Sequence, residues 1–225
     1  MWILEADHAR LETTWGAARL DLRHPERGLT DWRWPLGGPL ASPLAILQAA
    51  PPGGPADSRL ADPFVRGSDL IATYGETADQ IRVQYYWREL AGTGAGEVVG
   101  GVEWLAAVQT LSLDSRPELR VANHFPAGTT IESSTDAGPV AWWLFRPPGS
   151  ELSYVELMLT ADWGGTSPTE VDGVSLGSRL RLERMEKGVI RTCRARSWWV
   201  ARHADAIWAP RLAAEFFDAP LPLTA

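Results

Sequence analysis

Three side chains of this chain have the chemistry of a general acid or base for sugar reactions: Glu156, Asp69 and His124. Carboxylates and histidines at such sites move protons during attack on a glycosidic bond. Glu156 lies in a segment of alternating residues and shares a predicted strand face with Tyr154 and Met158. Its structural alternative is an ion pair with one of the many arginines. The alternative for His124 is a hydrogen-bonded place within a strand, and we favour the structural role for both.

Arginine and tryptophan side chains in the middle of the chain are candidates for ligand binding. Arginine pairs with carboxylates and phosphates, and tryptophan rings offer a large contact area to a sugar. The candidates are Arg66, Trp87, Arg88, Trp104, Trp142 and Trp143. For Asp69 and the arginines near it, we favour the alternative of an arginine–carboxylate network that attaches a long loop to the sheet.

Two glycine-rich motifs match known chemical signatures but stand in a different structural context. Residues 173–177 (Gly-Val-Ser-Leu-Gly) match the nucleophile elbow of hydrolases, which needs a strand before it and a helix after it. Here a loop precedes and an alternating strand follows, so Ser175 is predicted to lie in a turn that enters a strand. Residues 92–96 lack the further glycine at position 97 that a dinucleotide fingerprint requires, and they predict a hairpin loop.

The sequence predicts neither a metal site nor a cofactor. Its histidines do not stand at ligand spacing from one another, and Cys193 is the single cysteine. One cysteine cannot form a disulfide within the chain, which fits a reducing compartment. The N-terminus has no basic segment followed by an apolar one, and no apolar stretch is long enough to span a bilayer. We therefore expect a cytoplasmic protein.

The charge of the chain argues against two classes of partner. The 225 residues carry a net charge of −7. Nucleic acids and anionic membranes attract basic surfaces, so neither is an expected partner. All basic residues except Lys187 are arginines, which indicates a GC-rich bacterial genome. An arginine-rich anion site is the alternative explanation.

Most of the chain has the pattern of β-strands. In residues 80–90, for example, apolar and polar residues alternate as on a strand with one buried face. Many such segments, without regular strand–helix alternation, predict an antiparallel β-sandwich or a supersandwich of the same class. We predict one mainly β domain over residues 1–225, with a proline-rich loop at 35–63 and one C-terminal helix near 203–217.

Three local predictions follow from finer patterns. A short helix at 44–49 is an option within the proline-rich loop, and residues 162–172 are predicted to form another loop. Leucines alternate with charged residues from 176 to 183, and alternation resumes from 193 to 201 after a turn at 186–188. This last pattern predicts a hairpin.

Three aromatic doublets constrain how the sheets are covered, namely Tyr85–Tyr86, Trp142–Trp143 and Trp198–Trp199. Neighbouring residues on a strand face opposite sides, so one ring of each doublet points into the sandwich and the other points out. The outward rings could be covered by a further layer such as the terminal helix, buried between copies of the chain, or exposed as a sugar-stacking platform.

The segment Trp15-Gly16-Ala17-Ala18-Arg19-Leu20-Asp21, followed by Pro25 and Gly28, resembles the opening of galactose-mutarotase-like supersandwich domains. The resemblance implies a supersandwich that acts as a sugar epimerase, or as part of a glycosidase or polysaccharide lyase. Mutarotases use a histidine and a glutamate at defined strand positions. The matching stretch does not reach His124 or Glu156, so it assigns neither residue a role.

The function that these patterns favour is a non-enzymatic carbohydrate-binding or assembly domain. Outward aromatic side chains are frequent, and a complete catalytic constellation is missing from the sequence. The first alternative is a sugar epimerase or hydrolase in which Glu156, Asp69 or His124 acts as acid or base. The second is a structural homo-oligomer. The expected partners are therefore a carbohydrate ligand or further copies of the chain.

Overall fold

The computed structural model describes residues 1–34, 44–50, 59–75, 80–93, 96–135, 138–169 and 173–220. Within these ranges the chain forms sixteen strands and one α-helix. They are β1 (Trp2–Glu5), β2 (His8–Glu12), β3 (Ala17–Asp21), β4 (Leu29–Arg33), β5 (Ala45–Ala50), β6 (Leu60–Arg66), β7 (Asp69–Tyr74), β8 (Ile81–Ala91), β9 (Val98–Thr110), β10 (Arg120–Phe125), β11 (Thr130–Ser134), β12 (Val140–Arg146), β13 (Leu152–Leu159), β14 (Trp163–Thr169), β15 (Val174–Leu180), β16 (Ile190–Ala201) and α1 (Asp205–Asp218).

The strands form two sheets of eight, and all the strand pairs described are antiparallel. The first sheet has the order β1-β2-β3-β4-β5-β10-β15-β14. The second has the order β11-β12-β13-β16-β9-β8-β7-β6. The predicted fold class, a mainly β antiparallel sandwich with one C-terminal helix, is confirmed.

The main core lies between the two sheets and is filled by the inward side chains of both. Phe125 of the first sheet stacks on Phe145 of the second, with ring centroids 4.5 Å apart. The Tyr74 hydroxyl of the second sheet donates to the Leu22 carbonyl at 2.8 Å. Burying a large apolar side chain stabilises the fold by about 1.5–3 kcal/mol, so the alternating apolar residues of both sheets hold the sandwich together.

Helix α1 covers part of the outer face of the second sheet, over β12, β13 and β16. Its buried Leu212 and Phe216 pack with Leu144, Leu157 and Trp198 of these strands. This second apolar cluster explains why β12 and β13 are apolar on both faces. The helix predicted near residues 203–217 is confirmed.

Arginines of the second sheet hold both ends of α1 in place. At the first turn, Arg146 of β12 donates to both carboxylate oxygens of Asp205, at 2.8 and 3.0 Å. At the last turn, Arg194 of β16 donates to the Phe216 carbonyl at 3.0 Å and to the Ala219 carbonyl at 3.2 Å. An acidic residue near the N-terminus of a helix and a cation near its C-terminus both interact favourably with the helix dipole and stabilise the helix. The sequence pattern of the helix alone does not reveal these contacts.

The aromatic doublets alternate as predicted. The rings of Tyr85, Trp143 and Trp199 are buried in the core between the sheets. Their outward neighbours Trp142 and Trp198 pack into the cluster beneath α1. The further-layer alternative is therefore confirmed for both tryptophan doublets, and the terminal helix is that layer.

The proline-rich loop predicted at 35–63 contains strand structure. Its residues 45–50 form β5, which pairs with β4 and β10, so a helix at 44–49 is wrong. Its last residues begin β6, an edge strand whose pairing with β7 is irregular around Pro63. Edge strands and bulges are where a sheet tolerates proline. The remainder of the predicted loop, 35–43 and 51–58, lies outside the described residues.

The last predicted hairpin and the loop before it are also corrected. Residues 163–169 of the predicted loop form β14, the edge strand of the first sheet beside β15. The two arms of the predicted hairpin lie in different sheets, because β15 pairs with β10 and β14 whereas β16 pairs with β9 and β13. The chain crosses between the sheets over residues 181–189. Both sheets bury one face in the same core. The two segments therefore show the same alternation of apolar and polar residues whether they pair as a hairpin or lie in opposite sheets.

A cluster of tryptophans adds a close contact to the core. The rings of Trp32 and Trp34 are nearly parallel, with centroids 5.4 Å apart, and Trp199 meets Trp34 edge-on at 4.8 Å. Trp15 lies beside Trp32 in the same cluster and passes directly over Gly100 of β9. A Cβ atom at Gly100 would stand 2.3 Å from the Trp15 Nε1 atom. Only a glycine therefore fits beneath this indole ring.

We expect Gly100→Ala to lower the free energy of unfolding by about 1–3 kcal/mol, the usual cost of overpacking a core. The added methyl group must displace Trp15 and disturb the stacked rings around it. Urea unfolding followed by tryptophan fluorescence measures both effects. Gly138→Ala is the control, because no atom of the described residues lies within 4 Å of a Cβ there. If the two variants are equally stable, Trp15 does not lie as close to position 100 as the structure places it.

Candidate functional site

Glu156 is enclosed between the two sheets on β13 and is 1% exposed. The Asn123 amide donates to its Oε2 atom, and the Tyr154 hydroxyl donates to the Asn123 Oδ1 atom at 3.2 Å. Burial raises the pKa of the Glu156 carboxyl to about 7, although its hydrogen bonds with Asn123 and Tyr154 act in the opposite direction. The prediction that an arginine pairs with Glu156 is wrong, because its partners are the Asn123 amide and the Tyr154 hydroxyl. Because the carboxyl is enclosed, it does not meet a substrate in this structure.

Asp69 and Arg88 form an ion pair on the outer face of the second sheet. The Arg88 Nε and Nη2 atoms donate to the two carboxylate oxygens of Asp69 at 2.6 and 2.8 Å. Arg66 is exposed and stands opposite Asp69 in the register of β6 and β7. The pair gives Asp69 a structural partner, but it joins the neighbouring strands β7 and β8, so the predicted attachment of a long loop to the sheet stays a prediction.

The candidate tryptophans do not form a ligand site. Trp87 and Trp104 are 0% exposed and Trp143 is 2% exposed, all within the core between the sheets. Trp142 packs into the cluster beneath α1. A sugar ring cannot stack on an enclosed side chain, so we correct the ligand-binding prediction for Trp87, Trp104 and Trp143; Trp142 is only partly buried. Neither these tryptophans nor Arg66 and Arg88 line the hollows on the outer face of the first sheet.

His124 lies on the outer face of the first sheet, where it meets the serine of the glycine motif. The His124 Nδ1 atom and the Ser175 Oγ atom are 2.6 Å apart, at directly paired positions of β10 and β15. Ser175 is thus the second residue of a strand, close to its predicted place. A serine beside a histidine can attack acyl groups when a third group orients the histidine. No described carboxylate bonds to His124, so we treat the pair as hydrogen-bonding groups.

A groove beside this pair is the best candidate for a binding site. We call it the β10–β15 groove; its volume is about 350 Å³. It is lined by Arg120, Ala122, Gly164, Gly165, Thr166, Ser175, Gly177 and Arg179. Ala122 and Gly177 stand opposite each other in register and form a low floor. Arg120 and Arg179 form one end of that floor, and Ser175 with His124 forms the other.

The groove is open because its lining is accessible: Arg120 and Arg179 are exposed, and Ala122 and Gly177 are half-buried. The helix α1 lies on the other sheet. Successive residues of β10 and β15 alternate between buried and accessible, so their small and polar side chains all face outward together. Local alternation therefore produces the polar lining of the groove, and the pairing of β10 with β15 assembles it.

A second groove lies on the same outer face, over β1 to β4, and has a volume of about 260 Å³. We call it the β1–β4 groove. One of its three arginines, Arg10, has acidic partners, with Glu5 at 3.3 Å and Glu12 at 2.9 Å. The carboxylates of the lining (Glu5, Glu12 and Asp31) equal its arginines (Arg10, Arg19 and Arg33) in number, so the β1–β4 groove carries no excess positive charge.

The residues of the β10–β15 groove were not predicted as a site from the sequence. The available signal was the set of alternate positions Arg120, Ala122, His124 and Ser175, Gly177, Arg179, which put small residues between polar ones on an exposed face. A short outward side chain marks a place where a ligand can approach a strand closely. The sequence does not show that β10 and β15 are neighbours.

Two features are absent from the described part of the chain. None of its helices is long and apolar enough to cross a membrane. Nowhere do three or more of its histidine, cysteine, aspartate and glutamate side chains gather where a metal ion could be held.

No protein-family model matches the chain, and no curated protein matches it. Among solved structures, it is similar to a protein described as a kojibiose phosphorylase from the human microbiome, with a TM-score of 0.54 and 8% sequence identity. The match covers 98% of this chain and 36% of the other, so this chain spans about a third of that protein's length. At this identity the likeness shows a shared β-sandwich fold and does not single out the mutarotase family.

Proposed function

We propose that this domain binds carbohydrate without changing it chemically, and that the ligand lies in the β10–β15 groove. The observation that carries the proposal is the open floor of Ala122 and Gly177 between two polar ends. A sugar ring presents a flat face edged with hydroxyl groups. It therefore suits a low floor with hydrogen-bond donors and acceptors around it.

The groups at the edge of the floor supply both kinds of hydrogen bond. The hydroxyls of Ser175 and Thr166 donate and accept, and the guanidinium groups of Arg120 and Arg179 donate. Binding sites of this kind combine a contact surface with a few placed polar groups that set orientation. The shared fold with a protein named as a kojibiose phosphorylase supports a sugar ligand by analogy of fold alone.

The competing functions have less support from the described residues. An enzyme based on Glu156 needs the carboxyl to reach its substrate, and this carboxyl is enclosed. Self-association through the outward tryptophans needs Trp142 and Trp198 to be accessible, but both pack into the cluster beneath α1, where Trp198 is buried and Trp142 partly buried. Self-association through other surfaces stays a prediction, which light scattering of the purified chain tests.

We expect Ala122→Phe to weaken sugar binding at least tenfold, equivalent to about 1.4 kcal/mol. The added ring would fill the floor of the groove, and an aromatic residue is well tolerated on an exposed strand face. Glycan-array binding identifies a sugar ligand, and isothermal titration calorimetry then measures its affinity for each variant.

Ala17→Phe is the matched control, because Ala17 holds the corresponding outward place in the β1–β4 groove. It should bind the sugar as the wild type does. Loss of binding in Ala17→Phe with retention in Ala122→Phe would move the site to the other groove. If the wild-type chain binds no sugar on the array or in solution, the proposed function is wrong.

A further inference from the structure

The arginine end of the β10–β15 groove places like charges side by side. Arg120 and Arg179 stand directly opposite each other in the register of β10 and β15. Side chains at such positions have Cβ atoms about 4.5–5.5 Å apart, and like charges there destabilise a sheet. Two positive groups held together on an open face favour an anion that binds both.

The described contacts of these arginines leave much of their charge unpaired. Arg120 lies 3.4 Å from Glu118, but the two side chains are 62% and 65% exposed, so solvent weakens the pair. Arg179 donates to the Gly164 carbonyl at 2.9 Å, and no described carboxylate pairs with it. That hydrogen bond holds the guanidinium at the edge of the groove and leaves its other donors available.

The surface beside the groove extends the positive charge. An adjoining hollow of about 540 Å³ shares Gly164 and Arg179 with the groove. Its charged lining is Arg116, Glu118, Arg179, Arg181, Glu183 and Arg184. Arg184 is paired with Asp114 at 2.7 Å. In a chain with a net charge of −7, this concentration of arginines is a local reversal of sign. It contrasts with the β1–β4 groove, where the lining arginines are matched by an equal number of carboxylates.

We infer that the saccharide bound in the β10–β15 groove is acidic, with a carboxylate or phosphate group that Arg120 and Arg179 bind together. The inference rests on the proposed function, whose ligand class it narrows. The planar guanidinium fork of arginine matches the geometry of both anions. Because one arginine is already positioned by the Gly164 carbonyl, less conformational freedom is lost on binding.

The length of the groove indicates more than one sugar unit. Arg120 and His124 are four positions apart along β10, which corresponds to about 13 Å. The acidic group of one unit lies at the arginine end, while the hydroxyls of the next unit reach Ser175 and Thr166. The ligand class is therefore an acidic oligosaccharide, or a phosphorylated one.

Calorimetry with matched sugars tests the inference. The probes are uronate disaccharides of different stereochemistry, their neutral counterparts, a phosphorylated disaccharide and inorganic phosphate. We expect at least one acidic sugar to bind tenfold or more tightly than its neutral counterpart, with an affinity that falls as salt is added. Arg120→Gln and Arg179→Gln should each remove most of this preference. Arg10→Gln, in the β1–β4 groove, should leave it unchanged.

Each outcome decides a different point. Equal affinity for acidic and neutral sugars overturns the inference and leaves the proposed function standing. Inorganic phosphate binding as tightly as the phosphorylated sugar indicates a simple anion site and overturns the saccharide assignment. Absence of binding to every sugar overturns both proposals. Whichever of the uronate and the phosphorylated sugar binds more tightly shows whether the acidic group of the ligand is a carboxylate or a phosphate.

The Tm of each arginine variant shows whether a loss of binding comes from unfolding. Because each substitution relieves the contact between like charges, we expect the Tm of both variants to rise slightly.

Discussion

Glu156→Gln is expected to raise the free energy of unfolding at pH 8 by on the order of 3 kcal/mol, and to change it little at pH 4. The carboxyl is buried without a cation, so the folded protein resists its ionisation and its pKa rises from 4.5 to about 7. A tenfold change in acidity is worth about 1.4 kcal/mol. Glutamine keeps an acceptor for the Asn123 amide and has no charge to bury. Urea unfolding of both proteins between pH 4 and pH 8 measures the difference.

The sign of the effect follows from the pH at which the folded and the unfolded chain each release the Glu156 proton. Below pH 4.5 both the folded and the unfolded chain hold it, and Glu156 carries no ionisation penalty. Between pH 4.5 and about 7 the unfolded chain releases it while the folded chain keeps it, so the contribution of Glu156 to stability falls as the pH rises. Above about 7 the penalty is complete, and the folded state carries a buried charge.

Glu215→Gln serves as the control for this experiment. Glu215 is exposed on α1, and its replacement changes the net charge of the chain by the same amount. Its stability should follow that of the wild type at every pH. If the difference between the wild type and Glu156→Gln is the same at pH 4 and pH 8, the buried carboxyl does not titrate as described.

Glu103→Gln is expected to lower the free energy of unfolding by about 3–5 kcal/mol, the cost of breaking a buried ion pair. Glu103 is 2% exposed on the outer face of β9. Its Oε1 atom accepts from the Arg196 Nη2 atom at 2.8 Å and lies 3.7 Å from the Arg194 Nη1 atom. Without this carboxylate, Arg194 stays buried beneath the end of α1 with less opposing charge. Its pKa is already lowered by burial.

The matched control is Glu132→Gln. Glu132 is an exposed partner of Arg146 at 2.8 Å, and Arg146 keeps Asp205 when Glu132 is lost. Surface pairs are worth about 1 kcal/mol or less. Urea unfolding at neutral pH compares the two variants. A cost for Glu103→Gln no larger than that for Glu132→Gln would contradict the role of the buried pair.

These two buried carboxylates have structural roles and lie away from the β10–β15 groove. Glu156 connects the sheets through Asn123, whose Oδ1 atom also accepts from the Leu47 backbone N–H at 3.0 Å. Glu103 anchors the arginines that meet the end of α1. Sugar binding should therefore survive both substitutions at temperatures where the variants are folded. The groove variants should lose binding and retain stability.

Much of the fold can be predicted from local patterns in the chain. Alternation in residues 80–90 predicts β8, because one face of that strand is buried. The doublet Trp142–Trp143 predicts one ring on each face of its strand, because adjacent side chains must point in opposite directions. The apolar stripe and the prolines after it predict α1. Each of these inferences depends only on the geometry of a single element.

The candidate site could not be predicted in the same way. Glu156 and His124 both lie at alternating strand positions, yet one is enclosed and the other faces the outside. Which face of β13 meets the core is decided by the opposite sheet, and β12 and β13 are apolar on both faces because α1 covers one of them. Burial of a polar side chain is thus set by elements distant in sequence.

The amino-acid sequence alone determined that this chain is mainly β, that its strands alternate, and that one tryptophan of each doublet points away from the core. Only the tertiary structure decided that β15 and β16 belong to different sheets and that Ser175 meets His124. Strand periodicity is a local property of side-chain direction. The choice of strand partners instead depends on long-range backbone pairing and shared burial. The opposed arginines of the groove exist only because β10 and β15 are neighbours.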